Sequence, residues 1–250
     1  MTIRIAMWSG PRNISTAMMR SFSSRADTVV SDEPFYGAYL KETGDPQPMA
    51  EEVIADMDCD WQSVAAHVTG PVPGGKPIWY QKQMAHHMVG PIGIDELAGL
   101  THAFLIRDPR RVVASYAEKR DGIRPEHLGI RRQREYFDRE CDRLGHAPPV
   151  VDSANVLADP AGTLSMLCVA LEIEWDEAML SWPAGRHPRD GIWASHWYNH
   201  VEASTGFECA EVQPLPILDD GLQVIADACR PDYEHLSKFA LRNRQETGAF

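Results

Sequence analysis

A chain of 250 residues, 44% hydrophobic, can bury one core of ordinary size, and its formal net charge of -12 with a pI near 5.2 opposes binding to nucleic acid, acidic polysaccharide or an anionic bilayer. Five cysteines, Cys59, Cys141, Cys168, Cys209 and Cys229, are scattered with no CxxC pair or ligand spacing, which points to a reducing compartment and away from a disulfide framework. The strand-like run at Ile3 leaves no room for a signal peptide, and no apolar stretch approaches the ~18 residues of a membrane span, so the sequence predicts a soluble, cytoplasmic, single domain over 1–250.

In chain order, the first predicted element is a buried strand at 3–8, IRIAMW, which breaks into the loop SGPRN and resumes with helical spacing. Gly10 permits a tight turn and Pro11 stiffens it. The first N–H groups of the following helix have no intrahelical partner and carry the positive end of its dipole, so an anion is a natural occupant. Arg12 would add a charge, and Ser15 and Thr16 two hydroxyl donors; the competing reading makes Ser15 and Thr16 plain caps and Arg12 a surface residue. The loop lacks the Gly-Lys-Ser/Thr ending of a Walker A sequence.

The second strand, 27–31, leads into SDEPFYGAY, where Glu33 is either a proton acceptor or simply opens a helix. The third, 77–81, ends beside Lys82 and is followed by His86 and His87; adjacent histidines diverge on a helix, so at most one should reach a common site, and no third ligand stands at metal-binding spacing. The fourth strand, 102–107, closes on Arg107; Asp108 and Pro109 then form an N-cap and first helical residue, with Ser115 one turn beyond Arg111. Arginines and acids alternate over 130–144 as on a solvated helix laced with ion pairs, and a fifth strand spans 148–152. After 175 the pattern turns irregular and aromatic, with Trp175, Trp182, Trp193, Trp197 and Tyr198, which suggests a lid or edge over 175–210; two closing helices follow residue 220.

This alternation predicts an α/β chain of three layers, α/β/α, around a mostly parallel five-stranded sheet, with a ligand at the carboxyl ends of the strands. Two anion-seeking junctions at neighbouring strand ends suggest one ligand with two anionic groups.

Those junctions resemble the nucleotide signatures of the sulfotransferases that use 3′-phosphoadenosine 5′-phosphosulfate. Pro11, Arg12, Asn13, Ile14, Ser15 and Thr16 are similar to the first signature, P-K/R-S-G-T-T, and Arg107, Asp108, Pro109, Arg110, Val112, Val113 and Ser115 to the second, R-D-P-R-x-V-V-x-S. Val156, Leu157, Asp159 and Pro160 resemble a third element, and RHPRDGIWASHWY a glycine-rich segment that folds over the nucleotide.

The resemblance implies a P-loop NTPase-like sheet and a nucleotide co-substrate released as adenosine 3′,5′-bisphosphate, with no metal. It implies that Arg12, Asn13, Ile14, Ser15 and Thr16 cradle the 5′-phosphate, Gly10 supplying the close approach that Ile14 denies. Arg107 and Ser115 would hold the 3′-phosphate, Arg189 and Gly191 would approach it, and Trp193 would stand near the adenine or the mouth. Arg12 and Lys82 would stabilise the leaving oxygen, and Glu33, or else His86 or His87, would deprotonate a small hydroxyl- or amine-bearing acceptor. Two other readings share the scaffold: a magnesium-dependent small-molecule kinase, and a nucleotide-binding module without turnover.

Overall fold

The computed structural model describes residues 2–208 and 214–242. Five parallel strands, β1 (Ile3–Ser9), β2 (Thr28–Asp32), β3 (Ile78–Met84), β4 (Thr101–Ile106) and β5 (Val150–Asp152), form one sheet in the order β2-β3-β1-β4-β5. β1 lies at the centre, with Ile3 opposite Ile78 on one side and Ile5 opposite Thr101 on the other. Its near-continuous apolar run is what a strand covered on both faces requires. Ala6 and Trp8 join a core layer with Phe104, Val113 and Phe137, while Ile5 and Met7 join the opposite layer with Met18, Phe22 and Leu164. The two-residue alternation of one strand thus separates the three layers.

The order places the carboxyl ends of β1, β3 and β4 side by side. Helix α1 (Ser15–Ser23) follows β1, helix α2 (Tyr36–Thr43) follows β2, and the helix Pro109–Ala117 follows β4. β3 runs three residues beyond the expected stretch 77–81, because Lys82, Gln83 and Met84 continue the ladder as buried residues; Lys82 is therefore part of the strand and not of the loop after it.

The chain closes differently from the sequence pattern. One helix, Asp220–Ser237, replaces two, and Pro231 lies inside it. An interior proline costs about 3 kcal/mol, but Ala226, Cys229 and Leu236 bracket it on the buried face, and packing against the helices Pro109–Ala117 and Ile130–Leu144 holds the element together. Leu241 N then donates to Val150 O (2.9 Å), so the chain covers the free edge of β5; residues 243 and 244 of the expected last helix, and Cys209, lie outside the described residues. The helix Ile130–Leu144 carries the anticipated ion pairs, among them Arg134–Asp138 and Arg143–Glu140, and adds Arg134–Asp232 across to the closing helix. No helix among the described residues is long and apolar enough to cross a membrane.

Candidate functional site

The loops at the carboxyl edge enclose a cavity of about 350 Å³. One wall is cationic. Helix α1 opens at Ser15 with Ile14 in the N-cap position and no side-chain cap, so neither Ser15 nor Thr16 consumes its first N–H groups. Arg12 Nε donates to Ser115 Oγ (2.9 Å), which leaves the Ser115 proton free to face a ligand, and Arg107 Nη1 donates to the Arg12 carbonyl (2.6 Å). Burial, then Arg111 and Arg12, lower the Arg107 pKa, against the smaller opposing pull of Asp152 and Asp108. Asn13 ties the loop to β4 through a hydrogen bond from Nδ2 to Leu105 O (2.6 Å).

The backbone of this wall is strained at non-glycine residues. Arg12 (φ 55°), Ile14 (φ 27°) and, across the cavity, Glu33 (φ 46°) occupy the left-handed region. The close turn is thus made by Arg12 and Ile14 themselves. Gly10 serves another end: a Cβ there would stand 2.2 Å from Leu128 O, so the glycine admits the Leu128 backbone behind the loop, away from the cavity.

The opposite wall is a buried polar cluster. Lys82 Nζ donates to Asp32 Oδ1 (3.0 Å), Glu33 Oε1 (2.7 Å) and the Tyr198 hydroxyl (2.5 Å), which commits all three of its protons. Burial alone would lower the Lys82 pKa, but Asp32 and Glu33 hold it well above the usual range; burial raises that of Asp32. Glu33 Oε2 stands 3.9 Å from His87 Nε2, beyond hydrogen-bond reach.

His86 and His87 both line the cavity, contrary to the expected divergence, because the turn Ala85–His87 is a single 3₁₀ turn at the end of β3 rather than an α-helix. The His87 ring packs against both Tyr36 (4.6 Å between centroids) and Tyr39 (4.7 Å). Burial, then Lys82, pushes it down to about 3, and burial with His87 pushes His86 well below its normal range, so both rings are neutral at pH 7.

The late aromatic segment is tied to this wall. Arg20 of α1 makes a buried bidentate pair with Asp190 (2.5 and 2.6 Å), Gly191 N donates to Asp32 Oδ2 (3.1 Å), and Trp193 Nε1 donates to the Tyr198 hydroxyl (3.1 Å).

Of the residues singled out by sequence, Arg12, Asn13, Ile14, Ser15, Thr16, Glu33, Lys82, His86, Arg107, Ser115 and Trp193 line one cavity; Gly10, Arg189 and Gly191 do not. Arg189 sits in an exposed turn and the Gly191 N–H donates to Asp32, so neither faces this cavity. Sequence reasoning missed Asp32, Arg20 and Asp190, and took Tyr198 only as part of the aromatic lid, not as a partner of Lys82. Asp32 could have been noticed as the neighbour of Glu33; the others carry no local signal.

A family model described as a sulfotransferase domain matches residues 3–238. The chain is 33% identical over 234 residues to branched-chain-amino-acid aminotransferase-like protein 2 of Arabidopsis thaliana, covering 93% of this chain and 41% of that protein. It is 36% identical over 213 residues to the corresponding protein 1 of the same plant, covering 84% of this chain and 37% of that protein. The chain thus spans about two fifths of the length of these curated relatives, 41% and 37%. Among solved structures, a sulfotransferase from Alicyclobacillus acidocaldarius aligns over 97% of both chains with a TM-score of 0.55 at 11% identity, a likeness of fold. The five-stranded parallel α/β architecture is P-loop NTPase-like, as in the sulfotransferases.

Proposed function

Because the chain belongs to the sulfotransferase domain family, we propose that it moves a sulfuryl group from 3′-phosphoadenosine 5′-phosphosulfate to the hydroxyl or amine of a small acceptor. One observation carries this reading: Arg12, Arg107, Ser115 and the uncapped start of α1 face the same cavity whose other wall presents Glu33. A ligand with two separated phosphates fits the cationic wall, since Arg12 and Arg107 line the cavity beside a helix start that no side chain caps.

In this reading the α1 amides, Arg12, Ser15 and Thr16 bind the 5′-phosphate, and Arg107 with the Ser115 proton binds the 3′-phosphate. The donor supplies an activated sulfuryl group: as sulfur bonds to the acceptor oxygen or nitrogen, its bond to the bridging oxygen breaks and the electron pair stays with the 5′-phosphate. Arg12 and the α1 amides stand where that charge collects. Lys82 is the weaker candidate for this task, because its protons already go to Asp32, Glu33 and Tyr198; its part is to orient Glu33. Glu33 takes the proton from the acceptor through the oxygen left unbonded. His87 is the alternative base, a neutral ring that burial, then Lys82, pushes down to about 3. Residues 175–208 act as a lid, with Trp193 and Tyr198 closing the acceptor side.

The test is thermal stabilisation by adenosine 3′,5′-bisphosphate against ATP, each with and without magnesium. The bisphosphate alone should raise Tm by several degrees, consistent with the ~3 kcal/mol gained at a hundredfold excess over Kd, and Arg107→Ala should cut the shift to that given by adenosine 5′-monophosphate. A shift seen only with ATP and magnesium would point to the kinase. Bisphosphate binding without turnover on any acceptor would point to the non-catalytic module.

A further inference from the structure

The transfer chemistry needs one base on the acceptor wall, yet the structure builds a four-membered polar node there. Tyr198 is its least expected member. The Tyr198 hydroxyl stands 2.9 and 2.8 Å from the two Asp32 oxygens, and accepts from Lys82 Nζ (2.5 Å) and Trp193 Nε1 (3.1 Å). Its one proton therefore goes to Asp32, and burial, which raises the phenol well above its normal range, keeps it there. Asp32 also accepts from Gly191 N (3.1 Å). Every member of the node is satisfied within it except Glu33, which has one oxygen on Lys82 and the other 3.9 Å from His87.

Lys82 is consequently shared between two carboxylates 3.0 and 2.7 Å away. How much of its charge serves Glu33 depends on how well Asp32 is satisfied by other donors. The Tyr198 hydroxyl is the main one, and it reaches Asp32 across 166 residues of sequence. We propose that Tyr198 is a positioning residue that, by satisfying Asp32, leaves Lys82 available to Glu33 and so sets the proton affinity of the base while holding the segment 191–198 against β2. This rests on Glu33 being the proton acceptor. The charged and titratable groups facing Glu33 are Lys82 on β3, Asp32 on β2, His87 in the turn after β3, Tyr36 on α2 and Tyr198 itself, with Arg12 on the far wall of the cavity.

Two substitutions at this node should act with opposite sign. In Tyr198→Phe, Asp32 loses its donor and draws Lys82 toward itself, so the Glu33 carboxyl binds its proton more tightly. In Asp32→Asn, a like charge disappears and Lys82 turns wholly to Glu33, so the proton is bound more weakly. Simple loosening of the segment would move both variants the same way.

The experiment is a carbon-13 titration of side-chain-carboxyl-labelled glutamate in the full chain, with the Glu33 signal assigned by its loss in Glu33→Gln. Relative to wild type, the titration midpoint should rise by about half a pH unit or more in Tyr198→Phe and fall by a similar amount in Asp32→Asn, the scale of one perturbed neighbouring charge. Shifts of the same sign in both variants, or an unmoved midpoint in Tyr198→Phe, overturn the proposal. Where Asp32→Asn does not fold, Tyr198→Phe is read together with its urea midpoint: a rise in the Glu33 midpoint at unchanged stability, which loosening would not give, supports the proposal, and no rise, or a rise only with lost stability, overturns it. The titration uses no nucleotide, so failure of the sulfuryl-donor reading would show separately, as absence of bisphosphate binding by the wild-type chain.

Discussion

The two walls of the cavity solve opposite electrostatic problems. On the β1 and β4 side, Arg12 and Arg107 stand beside an uncapped helix, and burial together with like charges lowers the Arg107 pKa. On the β2 and β3 side, Lys82, Asp32, Glu33 and Tyr198 satisfy one another at 2.5–3.0 Å. The first wall presents cationic donors to the cavity; in the second, the Lys82 cluster is satisfied except for one Glu33 oxygen, beside His86 and His87, whose Nδ1 atoms are buried without a partner. A surface meant to bind leaves its donors unspent, whereas a surface meant to hold a base in place spends nearly all of them.

The sharpest way to break this contrast is Glu33→Gln. The substitution removes the proton acceptor and leaves the cationic wall untouched, so turnover on any acceptor the wild-type chain uses should fall by about 10²–10⁴-fold. Affinity for adenosine 3′,5′-bisphosphate, read by calorimetry, should stay within about twofold, since the substitution lies outside the wall that binds it. Undiminished turnover would move the base elsewhere, to His86 or His87.

The second wall depends on its fastening. Asp190→Asn leaves the buried Arg20 charge without its partner, which should cost about 3–5 kcal/mol in urea unfolding, typical of a broken buried pair. Destabilisation under 1 kcal/mol, about the worth of an exposed pair, would mean that the segment is not held through Arg20.

A smaller effect tests the neutral histidines. Trp8 Nε1 donates to His102 Nδ1 (2.9 Å) and His102 Nε2 lies 3.1 Å from Leu97 O, an arrangement that fits only the neutral ring; burial pushes His102 down to about 4, and His87 to about 3. Each folded pKa lies below the unfolded value of about 6.5, so the unfolded chain binds more protons and stability is lost as pH falls. The loss begins near the unfolded pKa and runs at about 1.4 kcal/mol per pH unit for each such histidine until the folded pKa is reached. Urea midpoints at pH 7, 6 and 5 should show the decline, and His102→Asn should flatten it by one histidine's share. A midpoint independent of pH across that range would contradict the assignment. Asp45, lowered to about 2 by its bonds to Tyr39 and Arg120 despite burial, keeps its contribution throughout this window and loses it only below about 3.8.

The same contrast explains what could be read from the sequence. The cationic wall was legible because its signals are local: Arg107, Asp108 and Pro109 form a strand end, cap and first turn in three consecutive residues, and Arg12 to Thr16 follow β1 directly. The strands were legible as apolar runs, although polar Lys82 and Gln83 concealed the end of β3. The second wall was only half legible. Glu33 stood out beside Pro34, but Tyr198 meets Lys82 across 116 residues and Arg20 meets Asp190 across 170, distances at which no sequence spacing constrains a contact. Backbone strain was likewise hidden, since Arg12 and Ile14 give no sign of the left-handed conformation that a glycine would advertise. The closing segment was read as two helices but forms one, because packing on both sides of Pro231 outweighs the local breaker.

The central claim is that Arg12 and Arg107 grip different phosphates of one adenosine nucleotide from the same wall. Calorimetric titration of adenosine 3′,5′-bisphosphate and adenosine 5′-monophosphate into wild type and Arg107→Ala tests it most directly. The wild-type chain should prefer the bisphosphate by about 10-fold or more, as expected of charge-assisted bonds worth ~1.5–3 kcal/mol, and Arg107→Ala should bind the two nucleotides about equally. A preference that survives the loss of Arg107, or its absence from the wild-type chain, would contradict the account.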